Sequence, residues 1–102
     1  MLNLSLDMNN KIEKLFLKIY NKYEDKQAFF QNIINYERSE LKRGIVNMKI
    51  DINNFEKKYS MSNEIFSNKF ETGELGDEED FMIWAGINEM LIKNEIKLSE
   101  LE

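Results

Sequence analysis

The chain has 102 residues, 42% hydrophobic and 32% charged, with a net charge of −5, which fits one small helical domain's worth of sequence and excludes disorder by composition. With neither Cys nor His, disulfides, thiolate metal sites, Cys nucleophiles and imidazole bases are all excluded. Pro is absent and Gly occurs four times, so turn chemistry is scarce and a few long helices are favoured over many short strands. No run approaches the roughly 18 apolar residues that span a bilayer, and the first ten residues lack a signal peptide's basic flank and apolar core. The expectation is a cytoplasmic protein that is not an enzyme and carries no cofactor or metal.

Charge divides the chain. Residues 1–59 hold 11 Lys/Arg against 8 Asp/Glu, whereas residues 60–102 hold 3 Lys against 11 Asp/Glu. A weakly basic front and a strongly acidic back suggest two jobs, dimerisation in 1–59 and contact with a basic partner in 60–102.

Leu2, Leu4 and Leu6 alternate with Asn3 and Ser5, the period of a short strand. Nothing else reads as a strand, so its simplest partner is its copy in a second chain. Asp7 or Asn9 caps a helix from about 9 to 23, with Ile12, Leu15, Phe16, Ile19, Tyr20 and Tyr23 in one stripe. Asp25 caps a second helix from about 26 to 59. Its seam reads Phe30, Ile34, Leu41, Ile45, Met48, Ile52, Phe55 and Tyr59, with Arg38 the one charged member and Gly44 a point of bending. A helix of about 50 Å in so short a chain is expected to need a second chain to cover it.

Ser62 caps a short helix carrying Ile65, Phe66 and Phe70, and the segment 72–77 is the clearest loop. Asp77, with Asp80 three residues on, is expected to cap the last helix. Phe81, Met82, Ile83, Trp84, Ala85, Ile87, Met90, Leu91 and Ile92 surround that helix, which predicts burial on several faces and docking into a basic-rimmed groove of a partner. The alternative is that it folds back over the long helix. The acidic run Glu74, Asp77, Glu78, Glu79 and Asp80 lacks the order of a calcium loop. No phosphate loop, dinucleotide fingerprint or nucleophile elbow is present.

The order strand, helix, turn, helix over residues 2–45 resembles the ribbon-helix-helix DNA-binding fold. That resemblance implies a homodimer whose ribbon would turn Asn3 and Ser5 to operator DNA, with Lys11 near the phosphates. Here the outward face lacks Arg or Lys. The stretch Lys58-Tyr59-Ser60-Met61-Ser62, Phe66, Phe70, Gly73-Glu74-Leu75-Gly76-Asp77 and Asp80-Phe81-Met82-Ile83-Trp84 is similar to the C-terminal signature of small prokaryotic antitoxin-like proteins, YGMSxxEFxxxFxxGELGDxxDFxEWxxL. It departs at Ser60, often Gly in that pattern, and at Ile83, often Glu. The similarity implies an antitoxin that occludes a basic toxin, with Phe66, Phe70, Leu75, Phe81, Trp84 and Met90 as anchors. The alternatives are a coiled-coil adaptor or oligomerisation scaffold with neither toxin nor DNA, and a carboxylate-dependent enzyme.

Overall fold

A computed structural model describes residues 9–102; the expected strand at 2–7, including Asn3 and Ser5, lies outside the described residues. The described chain is mainly α: α1 (Asn10–Lys22), α2 (Lys26–Tyr59), α3 (Asn63–Glu71) and α4 (Glu79–Glu100), with no strand among these residues. The described residues fall into two compact units divided between Asn35 and Tyr36, so α2 belongs partly to each.

The first unit is a helical hairpin. The Asn9 side chain accepts from the Ile12 amide and starts α1, and Asp25 Oδ1 accepts from the Gln27 and Ala28 amides to start α2. Lys26 closes the turn by donating to the Tyr20 and Tyr23 carbonyls at the end of α1, with its ammonium 4.2 Å from the Tyr20 ring centroid. Phe29 is buried, with Phe16, Tyr20 and Tyr23 edge-on to it at 5.1–5.7 Å. Yet α1 itself has no buried residue. Ile12, Leu15 and Ile19 each stay about half exposed, because one neighbouring helix covers only part of so wide a stripe.

In the second unit, α4 returns antiparallel along α2. Tyr59 meets Asp80, Phe55 stacks on Trp84 at 5.5 Å, Gly44 lies beside Asn94, and Arg38 Nε donates to the Leu101 carbonyl at 2.6 Å. From Leu41 onward the seam of α2 is therefore covered within the chain: Leu41, Ile45 and Ile52 are buried without a second copy, while Ile34 stays 37% exposed. The charged gap at Arg38 has a purpose in this arrangement. Its guanidinium sits at the C-terminal end of α4, where carbonyls lack intrahelical partners and the helix dipole is negative.

The ends of α2 and α3 use one device. The Met61 amide bonds back to the Glu56 carbonyl at 3.1 Å, and the Glu74 amide to the Lys69 carbonyl at 3.0 Å, each spanning a residue with left-handed φ. That residue is Ser60 (φ 50°) in the first case and Gly73 (φ 76°) in the second, the αL position of a Schellman cap. Ser62 then caps α3 by accepting from the Ile65 amide. Contrary to expectation, the N-cap of α4 is Glu78, which makes no side-chain hydrogen bond, and not Asp77. Asp80 is drawn away from any capping box by Lys58 Nζ at 2.6 Å and the Tyr59 hydroxyl at 2.5 Å.

Candidate partner-binding surface

Ile52, Phe66, Phe81 and Trp84 form the centre of the second unit, with Phe55, Tyr59, Met61, Phe70, Leu75, Ala85, Ile87 and Leu91 packed around them. Trp84 and Phe66 have no exposed surface and stack face to face, with centroids 3.8 Å apart and planes 2° from parallel. The indole N–H donates to Asn63 Oδ1 at 2.7 Å, so the ring is buried without a stranded donor. Five of the six anchors expected to meet a partner thus pack in or against the chain's own core. Phe66, Phe81 and Trp84 are buried in the chain's own core, and Leu75 packs against it. Phe70 is half-buried against Phe66 and lines a groove, and Met90 alone is openly exposed, at 55%.

The signature residues are accordingly fold residues. Gly73 supplies positive φ, Leu75 packs the loop down, Asp80 ties α4 to α2, and Phe81 and Trp84 fill the core. Bonding to Lys58 and to the Tyr59 hydroxyl holds the Asp80 carboxyl below its ordinary range, and the same carboxylate raises Lys58 and Tyr59 above theirs.

Surface available to a partner lies beside this core. A groove of about 430 Å³ between α3 and α4 is lined by Phe66, Phe70, Ala85 and Ile92, with Asn88, Ser67, Glu71 and Glu89 as its polar members. Its volume falls in the range of about 300–1,000 Å³ usual for ligand pockets. A smaller recess of about 230 Å³ between α2 and α4 holds Phe55, Ile83 and Ile87 with Asp51 and Lys58. Rather than burying several faces, α4 buries one and leaves apolar side chains on both flanks: Ile83 and Met90 on one, Met82, Ile92 and Ile96 on the other, all 45–61% exposed. Sequence reasoning missed Ala85, Asn88, Glu89 and Ile92 as groove residues. The signal was the three-and-four spacing inside a helix that looked apolar all round.

Among the described residues no three acidic side chains converge to hold a metal ion, and no helix is long and apolar enough to cross a membrane. Of the residues assigned to DNA, Lys11 is exposed on α1, in line with Lys14, Lys18 and Lys22 at helical spacing. No family model, curated protein or solved structure matches the chain.

Proposed function

We propose that the chain is a protein-binding module whose acidic C-terminal unit holds and occludes a basic partner, in the manner of the antitoxin of a toxin–antitoxin pair. The observation that carries this reading is the open groove between α3 and α4, apolar in its floor and flanked by Glu71 and Glu89. It lies in the stretch with 11 acidic residues against 3 lysines. Apolar floor and charged rim are the usual division of labour at an interface: the floor gives affinity, the rim gives encounter rate and selectivity. The partner-facing residues on this reading are Phe70, Ala85, Glu71, Glu89 and Ile92, which line the groove, rather than the buried aromatics or Met90 on the other flank.

The test is co-expression with the adjacent gene product. Growth arrest by the neighbour alone, relief by this chain, and a stable complex on size exclusion support the reading. A harmless neighbour that forms no complex removes it.

A second reading, a helical scaffold assembling through its N-terminal unit, is favoured by α1, whose Ile12, Leu15 and Ile19 have incomplete cover. It predicts a concentration-dependent dimer in sedimentation that Ile12→Glu with Ile19→Glu converts to monomer. The two readings draw on different residues, Ile12, Leu15 and Ile19 of α1 for the scaffold and the α3–α4 groove for the partner. Such a dimer would turn Lys11 and its neighbouring lysines to operator DNA, and binding to its own promoter with a steep salt dependence is the corresponding check.

A further inference from the structure

Met82, Ala85, Glu89, Ile92 and Ile96 recur along α4 with steps of three, four, three and four. That is the spacing of one side of a coiled-coil seam, and it runs about 21 Å along the helix. Met82, Ile92 and Ile96 are 54–61% exposed, and Ala85, Glu89 and Ile92 also line the groove against α3. Ala85 packs inward against the core, whereas Met82, Ile92 and Ile96 stay more than half exposed, so this second stripe is only partly covered by the described residues.

Glu89 is the middle member of the five. In a symmetric pairing of two copies along this seam, parallel or antiparallel about its centre, Glu89 faces its own copy. Two carboxylates are then set together at the centre, with Glu71 of each groove near them. Like charges placed so discriminate against self-pairing, while the same position accepts a lysine or arginine. Glu89 is paired with Lys93, 3.2 Å away and one turn on, but both side chains are about two-thirds exposed, so the pair is weak and its carboxylate can be shared with a second cation.

We infer that the outer flank of α4 binds an amphipathic helix of a foreign chain, laid along Met82, Ala85, Ile92 and Ile96, with a lysine or arginine at its centre opposite Glu89. The inference rests on the partner-binding reading above and names the chemistry of that partner. It is recognition of a helix in a groove, with affinity from residues at heptad spacing and orientation from one central ion pair.

Two synthetic 21-residue peptides test it on the full chain. Both carry leucine at heptad a and d positions, and they differ only at the central seam position, lysine in one and glutamate in the other. Methyl NMR titration should show the lysine peptide binding at least about tenfold more tightly and moving the Met82, Ile92 and Ile96 methyls. Glu89→Lys should reverse the preference. Glu89 is exposed, and unchanged Trp84 fluorescence verifies that the variant is folded. Equal affinities, no binding, or shifts confined to Ile83 and Met90 would overturn the inference. The two readings fail separately. A complex with the neighbouring gene product that is indifferent to Ile92→Glu and Glu89→Lys removes the seam but keeps partner binding. Peptide binding of the expected preference without any neighbour complex keeps the seam and removes the toxin.

Discussion

Ser60 lies where α2 ends, with φ at 50°, in a region that non-glycine L-residues occupy at a cost of about 1–2 kcal/mol. Its counterpart at the end of α3 is Gly73, held by the same kind of backward amide bond. Replacing Ser60 by Gly removes the Cβ penalty but loosens the unfolded chain, which offsets about 0.5–1 kcal/mol. Taking the middle of each range, about 1.5 against about 0.75, the balance is a stabilisation of about 0.5–1 kcal/mol. For a unit the size of Tyr36–Glu102, at about 4–8 °C per kcal/mol, the melting midpoint should rise by about 2–8 °C. The assay is built into the protein: Trp84 is its one tryptophan, fully buried in this unit, so its fluorescence reports unfolding there. Urea melts of Ser60→Gly should show a higher midpoint at unchanged slope. A midpoint equal to or below the parent's would refute the assignment of αL strain to Ser60.

Four further outcomes follow from the same geometry. Gly73→Ala, forced to φ 76°, should destabilise the unit by about 1–2 kcal/mol in the same melts, although a Cβ there meets nothing within 4 Å. Gly44→Ala should stabilise by about 0.8–1 kcal/mol, since an added Cβ makes only ordinary contacts, 3.5 Å to Asn94 Nδ2 and 4.0 Å to Met48 Cε. Trp84→Phe should cost about 1–3 kcal/mol through loss of the Asn63 hydrogen bond, read by far-ultraviolet circular dichroism. The Asp80 carboxyl is lowered on folding, so its contribution is present above the unfolded value of about 3.9 and lost as pH falls through the lower folded value. Lys58 and Tyr59 are raised, so theirs is present below about pH 10 and lost as pH rises through the folded values. Asp80→Asn should therefore lower the melting midpoint between about pH 4 and 10, with the difference from the parent narrowing at both ends.

Local features were legible in the sequence. The bounds of α2, the caps at Asn9, Asp25 and Ser62, and the apolar seam from Leu41 to Tyr59 follow from short-range rules that need no tertiary knowledge. What periodicity does not encode is the identity of the covering surface. The seam of α2 calls equally for a second chain or for a returning helix, and the return is decided by pairings such as Arg38 with Leu101, 63 residues apart. The same blindness affected the anchors. Phe81 and Trp84 are large, aromatic and set in an acidic context, which describes an interface and a core alike until Asn63 and Phe66 are seen to receive the indole. Ser60 is instructive in the same way: nothing in the local sequence announces a serine at φ 50°, a conformation that glycine adopts without a Cβ penalty.

The antiparallel return of α4 also orders events during synthesis. Leu41, Ile45 and Ile52 leave the ribosome well before the helix that covers them. At about 5–20 residues per second, the 43 residues from 60 to 102 take about 2–9 s to follow. Until then the seam of α2 is an uncovered apolar ridge, open to chaperones and to neighbouring nascent chains. Loop-closure entropy favours closure that starts at Tyr59 and Asp80, 21 residues apart, and ends at Arg38 and Leu101, 63 residues apart, since each contact shortens the loop for the next. A chain stopped before residue 80 keeps the ridge and lacks its cover, so premature termination should yield aggregated or rapidly degraded product rather than a smaller folded protein.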